Sequence, residues 1–244
     1  MEIIQKLRNE QFNIETTQKL TSHPYLVAAK NGSLTMAQRR AFVQQQYHIQ
    51  LSDAKSFAVL AGHLEFNPKK LTDATVPNEI VNDTSLSVPN LYQFLLGGEI
   101  YASELLLKCA SVLNQTEDDL CKSPMNAKAQ GYPSYWARLA LSKSKAAGAA
   151  ACAVNFQAWG HMCHLLHEAL LNNKVYGYKN DNDDVDTVEG LEFIKFFATP
   201  IENLDEMAAD IIEKENVSYD ELVPHVRMLQ EYEVLFWDAC YEAK

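Results

Sequence analysis

The sequence predicts an all-α protein, a bundle of many amphipathic helices, and three observations carry that reading. Apolar residues recur with a period near 3.6 in segment after segment, while the period-2 alternation of strands is almost absent. Capping chemistry marks helix starts at Thr35 and Gln38 in "TMAQ", at Ser218 and Glu221 in "SYDE", and at Thr199 and Glu202 in "TPIE", where Pro200 takes the first helical position. The nine glycines and eight prolines fall mostly between such segments, as in "KNGS", "GYP" and "VYGY".

In chain order, the pattern places helices over residues 3–20, 24–31, 36–65, 89–96, 98–114, 134–143, 145–173 and 187–198, followed by one opening at 200 and one at 219. The helix from 36 carries the stripe Val43, Tyr47, Ala54, Phe57, Ala61 and Leu64. The helix from 145 carries a seam that steps by four and three through Cys152, Phe156, Trp159, Cys163, Leu166 and Leu170. The last helix carries Val226, Leu229, Phe236, Trp237 and Cys240. No linker or composition shift marks a boundary, so residues 1–244 read as a single domain. The acidic run "KNDNDDVD" at 179–186 lacks the glycine and glutamate of a calcium-binding loop and reads as a solvated connection.

Composition narrows the function. A chain of 244 residues that is 47% hydrophobic and 22% charged is an ordinary globular protein with ample core. The polar N-terminal stretch "MEIIQKLRNE" and the absence of a long apolar run predict no membrane association and a cytoplasmic location. Five cysteines without a CxxC pair fit reduced thiols. With 32 acidic against 21 basic residues the net charge is −11, which excludes a nucleic-acid partner.

The stretch "GHMCHLLHE" groups His161, His164, His167 and Glu168 at spacings that can present metal ligands on a helix. On the wheel, however, His161 and Glu168 fall nearly opposite the apolar seam, with His164 on the flank. A core metal site needs its ligands inward, so no metal is expected there, and a solvated face or subunit contact is the reading. Polar residues that do point inward are few. Glu233 interrupts the stripe of the last helix, and Gln46 and Gln50 interrupt that of the helix from 36. A carboxylate taken out of water costs several kcal/mol unless paired or protonated, so Glu233 requires a partner, a shifted pKa or a ligand. Two amides and an acid aimed at one aromatic interior have the make-up of a small-molecule cavity.

Four stretches carry a resemblance. "EVLFWDACYE" resembles the "E-x-x-F-W-x-x-A" ending of the TenA-like family, and "HPYLVAAKNGSLTMAQRRAFVQQQYHIQ" resembles its "H-P-F … G-x-L" segment followed by "F … Q-D-Y". "EFIKFFATP" is similar to its "W-I-x-x-Y" stretch, and "CAVNF" to its "C-x-x-x-Y". Together they span nearly the whole chain in the family's order. The resemblance implies the heme oxygenase-like all-α bundle, shared with PqqC-like and CADD-like proteins, and often a homodimer or higher oligomer. It assigns the carboxylate that acts on an aminopyrimidine to Glu233 and the catalytic cysteine to Cys152, with Phe156 where a tyrosine is usual.

Two departures shape the functional expectation. The aspartate of "Q-D-Y" is Gln46 here, and an amide cannot supply the charge that anchors an aminopyrimidine, so efficient thiaminase activity is not expected. The di-iron branch needs a Glu and, seven residues on, a His; the matching positions hold Leu95 and Ala102, and the later histidine-rich run falls near "ATPIENLDEMAAD", which keeps Glu202 and Asp205 but no histidine. No metal or other cofactor is therefore expected. The sequence predicts a protein that binds, and transforms, a small aromatic or N-heterocyclic metabolite, with Glu233 as general acid or base and Cys152 as nucleophile. The expected walls are Gln46, Tyr47, Gln50, Phe156, Trp159, Phe193 and Phe197. The alternatives are a di-iron oxidase with displaced ligands and a non-catalytic binding or sensor protein.

Overall fold

The computed structural model describes residues 1–75, 77, 90–173 and 189–244. Among the described residues there are helices and no strand: α1 Glu2–Arg8, α2 Gln11–Thr21, α3 Pro24–Lys30, α4 Met36–Ala61, α5 Leu91–Val112, α6 Glu117–Lys122, α7 Ala127–Leu141, α8 Lys145–Asn173, α9 Glu192–Ala198, α10 Leu204–Glu215 and α11 Tyr219–Tyr241, with one 3-10 turn at Leu71–Asp73. The acidic run at 179–186 and the expected helix starts at 89 and 187 lie outside the described residues.

Local chemistry explains where these helices begin and end. The capping boxes at Thr35/Gln38 and Ser218/Glu221 form, opening α4 and α11, and a further one at Thr116/Asp119 opens the short α6. The box expected at Thr199/Glu202 does not form: α10 starts at Leu204 behind Asn203, whose φ of 60° makes the turn instead. α4 stops four residues earlier than expected because Gly62 takes φ 101°, a left-handed cap. The single helix expected over 3–20 is two. Continuing α1, which buries Ile4 and Leu7, would turn Ile14 inward; the break at Asn9–Glu10 rephases the chain so that Asn13, Thr16 and Leu20 are buried and Ile14 is exposed. Conversely, the segments expected at 89–96 and 98–114 are one helix, α5, because Gly97 and Gly98 stay helical.

α8 is the central element and packs against α3, α9, α10 and α11, while α4 packs against α5 and α7. Its first two turns are small: Ala146 to Ala151 are all buried, and a Cβ on Gly148 would come within 2.5 Å of the Tyr92 hydroxyl and 3.0 Å of the Trp136 ring. That absence of bulk lets α5 and α7 approach closely. α7 reaches α11 through Gly131 in the same way, since a Cβ there would lie 2.4 Å from the Tyr232 ring. No helix among the described residues is long and apolar enough to cross a membrane.

The apolar interior forms two clusters. One is built around Phe42, Trp159, Phe193, Phe236 and Trp237; the other around Phe57, Trp136, Leu229 and the alanines of α8. The buried polar residues Gln46, Gln50 and Asp53 of α4, Glu99 of α5, Asn155 of α8, and Gln230 and Glu233 of α11 come from these same packed helices. Tyr132 of α7 packs against both clusters.

Candidate functional site in the bundle core

An inner chamber of about 30 Å³ is walled by Gln46, Ile49, Asp53, Glu99, Tyr132, Phe156, Trp159, Phe197, Glu233 and Phe236. Each helix delivers its residue by spacing. Gln46, Gln50 and Asp53 step by four and three along α4, Glu99 stands in the buried stripe of α5 between Leu95 and Ala102, and Phe156 and Trp159 belong to the seam of α8. An outer cleft of about 900 Å³ adjoins it, and Glu99, Phe156 and Phe197 belong to the walls of both.

Three carboxyl groups therefore surround one small chamber, and each is held differently. Glu233 accepts hydrogen bonds from Trp237 Nε1 at 2.8 Å and Asn155 Nδ2 at 3.3 Å. Asn155 is itself fixed by the Tyr132 hydroxyl, which donates to its Oδ1 at 2.9 Å, and by Gln230 Oε1, which accepts at 3.2 Å. Gln230 in turn donates to Asn13 at 3.0 Å. Burial pushes the Glu233 pKa up to about 7 against the pull of its two donors. Glu99 accepts from Gln50 Nε2 at 3.3 Å, and burial pushes it up to about 8. Asp53 is only 3% exposed, its Oδ1 has no partner, and burial together with the neighbouring Glu99 charge raises its pKa well above the usual carboxylate range. The chamber wall contains no basic side chain.

The structure brings together five of the nine expected site residues, Gln46, Phe156, Trp159, Phe197 and Glu233. Gln50 stands behind the wall, holding Glu99. Phe193 supports Phe197, ring centroids 5.0 Å apart, without lining the chamber. Cys152 is fully buried and absent from the chamber wall; burial and the charges of Glu99 and Asp53 push its thiol pKa up. Tyr47 departs from its expected place in the wall: its hydroxyl reaches Glu117 at 3.4 Å, on the side of α4 that meets α6. One turn of helix separates it from Gln50, but its Cβ direction differs from that of Gln46 by about 100°.

Asp53 and Glu99 were not among the expected residues. Asp53 continues the Gln46–Gln50 row, and Glu99 sits between Leu95 and Ala102, the two positions matched to di-iron ligands; each lies one step along its row. The histidine run is also placed more finely than the wheel allowed. His161 and His164 are exposed, as expected, but they line the outer cleft, and His164 Nε2 lies 3.6 Å from Glu168. The cleft opens along the flank of α8, so facing away from the seam still leaves them near the chamber's approach.

A di-iron centre does not fit these residues. Leu95 and Ala102 are buried apolar groups, the carboxyl set of the chamber contains no histidine, and no group of three or more His, Cys, Asp or Glu among the described residues could hold a metal ion.

The fold is the heme oxygenase-like all-α bundle, with buried acids converging on a small aromatic chamber in its core. The chain belongs to the TENA/THI-4/PQQC family, whose model matches residues 13–243. Solved structures agree on the fold. A TenA homologue from P. horikoshii OT3 superposes with a TM-score of 0.65 at 16% identity, covering 98% of each chain. A TenA homologue from Pseudomonas syringae pv. tomato gives 0.65 at 14% identity, covering 97% of this chain and 91% of that one. A domain of unknown function with a heme oxygenase-like fold from Shewanella denitrificans gives 0.56 at 15% identity, covering 96% and 88%. A search of curated proteins finds no match.

Proposed function

We propose that this protein binds and transforms a small basic N-heterocycle, in keeping with the cofactor metabolism of its family, and that Asp53, Glu99 and Glu233 together recognise the protonated ring. The observation that carries the reading is the convergence of three buried carboxyls on a chamber with aromatic walls and no basic side chain. A cation entering there would meet an unpartnered Asp53 oxygen and two acids whose ionisation it would favour. In its present form the chamber, at about 30 Å³, has room for two or three waters at most, since a water needs about 10–15 Å³. A ring thus enters as Phe156 and Phe197, the aromatic walls shared with the cleft, rotate aside.

Glu233 supplies the acid–base chemistry in this reading. A group titrating at about 7 can both take and give a proton near neutrality. Cys152 is the nucleophile that the family resemblance assigns; it stands behind the wall with its thiol pKa raised by burial, so attack on a ligand would require the wall to open and the thiol proton to pass to the neighbouring Asp53 or Glu99 carboxylate. The protein is a cytoplasmic homo-oligomer in this reading, supported by five free cysteines and by Tyr101, exposed on α5. No transition metal is required. A non-catalytic ligand-binding protein is the second reading, favoured by one observation: Cys152 stands outside the chamber wall.

Isothermal titration at pH 7 with aminopyridine and with aniline, its near-isosteric but weakly basic analogue, tests recognition. Preference for aminopyridine of ten-fold or more supports the reading; equal affinity overturns it. Glu233→Gln separates a ligand-binding acid from a structural one. Its amide oxygen can still accept from Trp237, so the expected outcome is lost binding with an equal or higher melting temperature, whereas a purely structural Glu233 would lose about 1–3 kcal/mol and leave affinity intact.

A further inference from the structure

The outer cleft has a volume suited to a small molecule, about 900 Å³ against a usual range of about 300–1,000 Å³. Its walls are chiefly aromatic and aliphatic, with Phe94, Phe156, Phe196, Phe197, Ile201 and Leu204 prominent. It adjoins the chamber, Glu99, Phe156 and Phe197 forming walls of both, and joins it when the two rings rotate aside. We propose that the cleft is the second half of the ligand site and takes an uncharged, apolar or aromatic extension carried by the molecule whose basic ring enters the chamber; this rests on the reading given above.

Gly98 supplies an independent observation. It lies within α5 beside Glu99 and lines the cleft, and a Cβ added to it would meet nothing within 4 Å. No close packing and no left-handed backbone explains a glycine there, although glycine inside a helix costs about 1 kcal/mol relative to alanine. What the missing side chain leaves is open cleft immediately next to the acid that both cavities share.

Charge decides what the extension can be. The acids of the cleft wall are Glu99, Glu202 and Asp205, and its one Lys or Arg is Arg8. That guanidinium is already committed: Nη1 and Nη2 donate to the two carboxylate oxygens of Asp205 at 2.6 and 2.5 Å, and Nη2 also donates to the Ala153 carbonyl at 2.8 Å. Only Arg8 Nε, buried and without a partner, is left to serve a neutral acceptor such as a hydroxyl or ether oxygen. A phosphate ester would meet the two remaining acids and no available Lys or Arg, the exposed imidazoles of His161 and His164 being the wall's other basic groups, so the site selects against phosphorylated forms of its ligand.

Three probes, titrated at pH 8, test the inference: aminopyridine as its 4-isomer, whose ring stays protonated there, its N-benzyl derivative, and its N-(phosphonobenzyl) derivative. The benzyl group is expected to tighten binding ten-fold or more and the phosphonate to cancel that gain. Gly98→Leu, whose Cβ has open space and whose side chain would occupy the cleft while favouring helix, should remove the gain while leaving aminopyridine unchanged. Gly97→Leu, also with open space around its Cβ but outside the cleft wall, should change neither. If aminopyridine binds and the benzyl group adds nothing, or Gly98→Leu leaves its contribution intact, the cleft is no subsite. If aminopyridine alone fails but the benzyl compound binds and Gly98→Leu removes it, the cleft stands and the chamber reading falls. Failure of both probes sinks both. A change in solution mass with Gly98→Leu, at unchanged affinities, would make the cleft an interface between copies and overturn the proposal.

Discussion

Gln46 shows what one atom's difference does in this chamber. The resemblance of its segment to the TenA-like family matches it to that family's aspartate, and it is buried at 6% exposure in the same wall as Asp53, Glu99 and Glu233. An amide adds no charge to oppose that of a bound ring, so wild-type turnover of thiamin is expected to be negligible. Gln46→Asp should tighten binding of a protonated aminopyrimidine by about ten- to a hundred-fold, the worth of one charge-assisted hydrogen bond. Robust hydrolysis by the wild type would show that the charge at 46 is dispensable. Residue-scale legibility was uneven for a physical reason. Glu233 was readable because it stands alone in an apolar stripe, and Gln46 and Gln50 because two amides interrupt another. Asp53 follows them on the same face, where an acid one turn on looks like ordinary surface variation until the facing α5 supplies Glu99. Tyr47 was misplaced because an apolar stripe wider than 100° touches two different neighbours, α5 on one side and α6 on the other.

At the scale of elements, the capped and strongly periodic helices were the readable ones. α8 spans its expected 145–173, and its seam is buried except at Phe156, which is half-buried because it faces the two cavities. Expectation and structure part where glycine and proline stand inside helices rather than between them. "GYP" reads as a break, yet Gly131, Tyr132 and Pro133 lie inside α7, where Gly131 admits the Tyr232 ring and Tyr132 positions Asn155 behind Glu233. Tertiary packing there overrides local propensity. Gly148 makes the same point quantitatively. Gly148→Ala improves helix propensity by about 1 kcal/mol but forces a Cβ to within 2.5 Å of the Tyr92 hydroxyl, which donates to the Lys145 carbonyl. Net destabilisation of about 1–3 kcal/mol in urea unfolding is expected, the usual cost of overpacking. Gly98→Ala, with open space around it, should instead be neutral or stabilising. If the two substitutions had equal effects, helix propensity rather than close approach would govern both.

For the whole molecule, the buried acids set a direction for stability against pH. Glu233 is pushed from its ordinary value near 4.5 up to about 7 and Glu99 up to about 8, while Asp53 is raised as well. A carboxyl whose pKa is higher in the folded than in the unfolded state holds its proton more tightly when folded. Its contribution is fully present below pH 4.5 and is lost as pH rises through the folded pKa. Each unit is worth about 1.4 kcal/mol, so the empty protein should lose several kcal/mol of stability between pH 5 and pH 8. His23, His48 and His225, whose pKa values burial lowers, act in the opposite sense near pH 6, because they bind protons more weakly when folded. The difference between the wild type and Asp53→Asn removes their common contribution. That difference is expected to favour the variant increasingly from pH 5 to pH 8, since the variant carries one fewer carboxyl to ionise beside Glu99. A bound cation reverses the slope: it favours the ionised acids, so the rise in melting temperature caused by a saturating basic ring should grow with pH until the ring itself loses its proton. Thermal scans with and without aminopyridine at pH 5, 6, 7 and 8 measure both trends together. A ligand-induced shift that is flat or declines over that range would mean the ring binds without its charge meeting these acids.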